Sequence, residues 1–235
     1  MGYQLFVFDL DGTLLDSIDD IAFSMNHVLE RHSLPVHPRE AYYYFVGDGA
    51  RLLMERALPE SFRTAARVDA LLPEFMAFYD LHKADRTRPF DGIPELLARL
   101  QSDGILLSVA SNKPHDVMPD LMRRYFPDIR FSVVFGQRKG HPVKPDPEIV
   151  YDILETTGVP ADKALYVGDT AVDVRTAHAA GLRMAGALWG FRTRDELAAA
   201  GADLIVEKPL DLLHIYKRRV TIKKQSEKML LLHFI

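Results

Sequence analysis

The chain has 235 residues, of which 48% are hydrophobic and 26% charged, which predicts one large globular domain or one domain with an insert rather than a disordered segment. It has no cysteine, so disulfide staples, thiol catalysis and Cys-ligated zinc or iron–sulfur centres are excluded. A formal net charge of −4 offers no general attraction to nucleic acid or anionic membranes, no run approaches roughly 18 consecutive apolar residues, and the N-terminal run "LFVF" ends on acids rather than a cleavage site; a cytoplasmic enzyme or binding protein is therefore expected.

In chain order, "YQLFVF" (3–8) reads as a short, fully buried strand. From Ser17 the apolar period becomes helical through Ile18, Ile21, Ala22, Met25, Val28 and Leu29, with Asp16 or Ser17 as cap and Asp19 and Asp20 in the first turn. "HSLPVHPRE" breaks that helix. "FVGDGARLLMERAL" reads as a glycine turn entering a short helix, and residues 64–82 as a third helix with Val68, Leu71, Leu72, Phe75, Phe78 and Tyr79 inward. From residue 85 the texture alternates: a helix (93–100), the strand "ILLSVA", a helix (115–124), "FSVVFG", a helix (148–156), "ALYVGD", a helix (172–180), "RMAGALW", then "DLIV" before a short helix. Such alternation predicts an α/β fold, a parallel sheet wrapped by helices in the Rossmann manner. Residues 1–15 and 85–216 are assigned to this core, residues 16–84 to a helical insertion after the first strand, and residues 217–235 to a basic, then apolar tail. For that tail a solvated end and a contact with a neighbouring surface both remain open.

In an open parallel sheet, ligands gather at the carboxyl ends of the strands. Asp9 and Asp11 follow the first strand, Ser111 and Asn112 follow "ILLSVA", Lys144 lies in the loop "GHPVKPDP", and Asp169 follows "ALYVG". Two carboxylates as close as those in "DLDGTL" require a cation or a shared proton. A hard divalent ion such as Mg²⁺ suits an all-oxygen set, to which Asp169 can add a third carboxylate. Asp173 would steady Asp169 or a bound water, or else serve as a helix N-terminal charge. Gly12 allows close backbone approach and Thr13 can donate a hydrogen bond.

The strings "DLDGTL", "SNK", "KPDP" and "GDTAVD", in this order and each behind an expected strand, resemble the four motifs of the haloacid dehalogenase superfamily, and the helical insertion resembles that family's small cap. The resemblance implies that Asp9 is a nucleophile forming an aspartyl-phosphate and that Asp11 is the general acid and base. It also implies that Asp9, Asp11 and Asp169 hold Mg²⁺, and that Ser111, Asn112 and Lys144 bind the phosphoryl group. A second aspartate argues for phosphate esters over haloacids, because halide leaves without a proton. The loop around Gly47, Gly49 and Arg51 is similar to the cap loop of bacterial phosphoglycolate phosphatases; its helix start and Arg51 would grip a substrate carboxylate. The expected partner is a small phosphorylated metabolite, 2-phosphoglycolate first. A sugar phosphatase, a pyrophosphatase, a β-phosphoglucomutase-like enzyme and a non-catalytic binding module are the alternatives. Monomer and homodimer are both open.

Overall fold

The computed structural model describes residues 2–215. At its centre lies β1 (Leu5–Phe8), with every residue buried. Its side chains alternate between two faces: Phe6 and Phe8 enter one hydrophobic cluster, Leu5 and Val7 the other. A strand buried on both faces has no polar side, which is why "LFVF" shows no apolar–polar alternation.

The remaining elements follow in chain order. They are β2 (Leu15–Asp16), α1 (Ile18–Arg31), α2 (Arg39–Phe45), α3 (Ala50–Ala57), α4 (Ala65–His82) and β3 (Arg88–Pro89). Then come α5 (Ile93–Ser102), β4 (Leu106–Pro114), α6 (Met118–Tyr125), β5 (Phe131–Gln137) and α7 (Glu148–Thr157). The chain continues through β6 (Ala164–Gly168), α8 (Ala171–Ala179), β7 (Arg183–Ala187), α9 (Arg194–Ala200) and β8 (Leu204–Val206). Six strands form one parallel sheet in the order β5-β4-β1-β6-β7-β8. Residues of α5 and α6 cover the face of Phe6 and Phe8, and residues of α7 and α8 the opposite face. Successive connections leave β1 toward opposite sides, so the crevice beyond its carboxyl end is the switch point of the sheet.

Helices α1 to α4 lie between β2 and β3, which pair antiparallel with Leu15 opposite Pro89 and Asp16 opposite Arg88. The helices close on their own cluster, including Ile21, Met25, Tyr42, Leu53, Met54, Leu71 and Phe75. Asp20 of α1, fully buried, stitches this segment to the returning chain. Its carboxylate accepts from the Arg86 N–H at 3.0 Å, the Thr87 N–H at 2.8 Å and the Thr87 hydroxyl at 2.7 Å.

The fold departs from the sequence reading in four places. Residues 39–45 form α2, whose run of three tyrosines conceals the helical period; only Tyr42 is buried. Residues 194–200 form α9, capped reciprocally by Thr193 and Glu196. Strand β4 runs on through Ser111, Asn112 and Lys113 to Pro114 instead of ending at Ala110. Phe78, expected inward, is half-buried and stacks on His27, with ring centroids 3.8 Å apart. The tail 217–235 lies outside the described residues.

Candidate active site

The turn after β1 is built around Gly12, whose φ of +85° belongs to the left-handed region. A side chain there would also have its Cβ 2.4 Å from Oδ2 of Asp169. Gly190, in the loop after β7, is equally constrained: its Cβ would lie 2.3 Å from that of Asp169. The Asp169 carboxylate is therefore enclosed by two glycines, and it accepts from the Phe191 N–H at 2.8 Å and, more weakly, from the Thr13 hydroxyl at 3.4 Å. The Trp189 indole donates to the Thr13 carbonyl at 2.9 Å, tying the loop after β7 to the turn after β1.

Lys144, buried, reaches the centre of the site from the loop after β5. Its ammonium donates to the Ala110 carbonyl at 3.0 Å, the Tyr166 hydroxyl at 3.0 Å and Oδ1 of Asp173 at 2.7 Å. Those three bonds use all of its protons. Oδ1 of Asp9 lies 3.0 Å from the same nitrogen, yet it is buried without a hydrogen bond. It feels the charge of Lys144 and receives none of its protons. Asp173 caps α8: its Oδ2 accepts from the Thr170 N–H and hydroxyl, while the Thr170 hydroxyl accepts from the Asp173 N–H. This places Asp173 as helix cap and counter-ion of Lys144, the bland alternative among the sequence expectations, rather than as a hydrogen-bond partner of Asp169.

Burial pushes the Asp9 carboxyl up to about 7; Lys144 opposes the rise, and Asp173 and Asp11 add to it. Burial, then Asp173 and Asp9, push Asp169 well above the usual carboxylate range. Burial alone would lower Lys144, but Asp173 and Asp9 outweigh it and hold the ammonium well above its ordinary value. Oxygens of Asp9, Asp169 and Asp173 all lie within 4.8 Å of one another. Three carboxylates face one lysine, and one of their oxygens has no donor. An all-oxygen, electron-rich donor set of this kind fits a hard divalent cation.

The side chain of Asp11 turns toward the helical segment. It accepts two bonds from Lys113, at 2.9 and 3.0 Å, and one from the Ser17 hydroxyl. Ser17 thus stands at the start of α1 without capping it by its side chain. Ser111 lines the pocket beside Asp9. Asn112 lines it as well; its side-chain amide donates to the carbonyls of Gly47 and Lys144 at 3.0 Å each, and its oxygen accepts from the Lys144 N–H at 2.8 Å. Its side chain clasps the Lys144 loop and the helical segment.

The pocket above Asp9 is walled on the helical side by Ile21, Val46, Gly47, Gly49, Ala50, Leu53, Phe75, Met76 and Tyr79. Arg51 is absent from that wall. Its guanidinium bonds Asp69 of α4, and the side chain is 48% exposed. Arg51 occupies the outward face of the first turn of α3, while the opposite face carries Leu53 and Met54 into the cluster. In this arrangement Arg51 does not reach the pocket in which a substrate carboxylate would lie.

Four residues were missed from the sequence. Lys113 was readable as the third letter of "SNK". From its place in the helical pattern Tyr79 reads as a packing residue, yet its hydroxyl lies 2.6 Å from the Lys113 ammonium. Phe191 supplies its amide to Asp169 and stacks on Tyr43 at 5.5 Å. Arg192 donates to the Tyr43 and Val46 carbonyls at the end of α2. No local pattern marks the last two.

Residues 6–187 match the family model for haloacid dehalogenase-like hydrolases. The chain is 31% identical to a phosphoglycolate phosphatase of Mannheimia succiniciproducens over 91% of this chain and 98% of that protein. It is 32% identical to an N-acetylmuramic acid 6-phosphate phosphatase of Pseudomonas aeruginosa, over 93% and 96% respectively. Among solved structures, a predicted phosphoglycolate phosphatase from Haemophilus somnus superposes with a TM-score of 0.84 at 28% identity, covering 91% of this chain and 97% of that one.

Proposed function

The chain belongs to the haloacid dehalogenase-like hydrolases, among phosphatases resembling phosphoglycolate phosphatase, and from that premise we propose that it hydrolyses small phosphate monoesters in two steps through Asp9. In the first step an Asp9 oxygen bonds to phosphorus, the bond from phosphorus to the leaving oxygen breaks, and Asp11 gives that oxygen a proton. In the second step a water oxygen bonds to phosphorus, the Asp9–phosphorus bond breaks, and the water proton passes to Asp11. Ser111 orients a phosphoryl oxygen, Lys144 supplies positive charge beside Asp9, and Asp173 holds Lys144 in place. Asp9, Asp169 and the main chain at Asp11 would hold Mg²⁺, which supplies charge neutralisation for the phosphoryl group. Helices α1 to α4 act as a cap over the reacting atoms, secured by Asn112 and Arg192. The observation that carries this reading is the undonated Asp9 Oδ1, 3.0 Å from Lys144 and clustered with Asp169.

The relatives' names make 2-phosphoglycolate the first substrate to test. N-acetylmuramic acid 6-phosphate is a second reading, favoured by the mostly apolar cap wall and by the outward direction of Arg51. Phosphate release across a metabolite panel containing both, with Mg²⁺ or EDTA and with Asp9→Asn as control, tests the proposal. Turnover that survives EDTA, or survives in Asp9→Asn, contradicts it.

A further inference from the structure

Lys113 is a buried cation that the reaction scheme above leaves unused. It lies at the end of β4, where the ladder to β5 is irregular between Ala110 and Pro114. In a regular strand, alternate residues face opposite sides of the sheet; here Ser111, Asn112 and Lys113 all line the pocket. Gly136 on β5 makes this possible, since a Cβ there would fall 2.5 Å from the Lys113 carbonyl.

The ammonium of Lys113 makes three hydrogen bonds: two to the oxygens of Asp11, at 2.9 and 3.0 Å, and one to the Tyr79 hydroxyl at 2.6 Å. No proton remains for a substrate oxygen. The Lys113 side chain is 3% exposed and that of Asp11 18%. Burying such a pair adds little stability over an apolar one, because desolvation offsets the attraction. What the pair does provide is direction. The Asp11 carboxylate is gripped through both oxygens, with the Ser17 hydroxyl on one of them. Two of its three holders, Ser17 and, through Lys113, Tyr79, come from the helical side of the pocket.

We propose that Lys113 is a positioning residue that acts on the reaction only through Asp11, and that Tyr79 makes this positioning depend on the seating of α4. The inference rests on the reading of Asp11 as proton donor and acceptor. Each time Asp11 becomes a carboxylate, Lys113 receives it in one orientation facing the pocket. When α4 lifts, Lys113 loses its third partner and Asp11 loses its fixed aim.

The test compares an alkyl phosphate, whose leaving oxygen needs a proton, with p-nitrophenyl phosphate, whose leaving group does not. Lys113→Met, Lys113→Arg, Tyr79→Phe and Asp11→Asn are assayed on both, and Lys113→Met also in the Asp11→Asn background, with Mg²⁺ throughout. The loss in kcat for Lys113→Met is expected to be at least about tenfold greater on the alkyl phosphate. Lys113→Arg should recover part of that difference, and Tyr79→Phe, which removes only a hydroxyl, should show a smaller loss with the same selectivity. In the Asp11→Asn background, Lys113→Met should add no further selective loss. Equal losses on the two substrates in Lys113→Met and Tyr79→Phe, or full additivity with Asp11→Asn, would overturn the assignment of Lys113 while leaving Asp11 intact. An unselective loss in Asp11→Asn itself would instead bring down the role of Asp11, and that of Lys113 with it.

Discussion

Oδ1 of Asp173 stands 2.7 Å from the Lys144 ammonium, and both side chains are buried. Asp173→Asn removes the counter-charge while keeping the shape, leaving Lys144 to lean on Asp9. Breaking a buried pair costs about 3–5 kcal/mol. The variant should unfold at lower denaturant and lose turnover together; a kcat within about twofold of the parent would contradict the positioning of Lys144 by Asp173. Gly168→Ala should mimic it, since the added Cβ would meet Asp173 Cγ at 2.4 Å.

Asp9→Asn replaces the attacking carboxylate with an amide. Turnover should fall by at least about 10⁴-fold, and no acid-stable, base-labile phosphate should be trapped on the chain after mixing with substrate. Trapped phosphate in the variant would place the nucleophile elsewhere.

Without a cation, the folded chain holds Asp9 at about 7 against an ordinary 3.8, and raises Asp169 as well. A carboxyl raised in the folded state keeps a proton that the unfolded chain has already released. Its contribution to stability is whole below about pH 4 and is lost as pH rises through about 7. In EDTA the melting temperature should therefore fall between pH 5 and pH 8, by on the order of 5 °C. Saturating Mg²⁺ should flatten that slope, because the cation stabilises the ionised forms. Equal slopes with and without the ion would show that these acids hold no metal.

Arg51→Ala should change little. An exposed pair with Asp69 contributes about 0–1 kcal/mol, and kcat/KM for 2-phosphoglycolate should stay within about threefold. A tenfold rise in KM for that substrate alone would restore the carboxylate grip.

Asp20→Ala should destabilise by about 3 kcal/mol, because the buried amides of Arg86 and Thr87 lose their acceptor. Thr87→Val, which removes one hydroxyl, should cost about 1 kcal/mol. Urea unfolding followed by circular dichroism separates the two. Equal, negligible costs would mean that the linker needs no such anchor.

The core sheet was legible because its strands are buried on both faces and end on polar residues, so "LFVF" and "ALYVG" point directly to Asp9 and Asp169. Helix α2 was not, because consecutive tyrosines blur a period of 3.6, and its single buried residue, Tyr42, leaves no stripe to read. The partners of Asp11 were hidden for a different reason. Lys113 stands 102 positions away in the chain and meets Asp11 only because β1 and β4 are neighbours. Arg51 shows a different limit: its place in the first turn of α3 is readable, but the direction of its side chain depends on which face the cluster claims. Sequence patterning reports what a residue is and which element carries it. Partners across the sheet, and the heading of a long side chain, come from packing.

The chain leaves for the helices at Leu15–Asp16 and returns at Arg88–Pro89, on adjacent rungs of one antiparallel pair. Everything between those rungs can be exchanged as a cassette without severing a strand of the main sheet. A chimaera cut at 16 and 88 keeps the cluster around Phe6 and the cluster around Leu5 whole. It must match its host mainly along a seam: Lys113 with Tyr79, Asn112 with Gly47, Arg192 and Phe191 with the end of α2. The architecture thus separates inheritance of the reaction centre from inheritance of the wall above it, so that recombination across one short ladder can supply a new wall without rebuilding the chemistry.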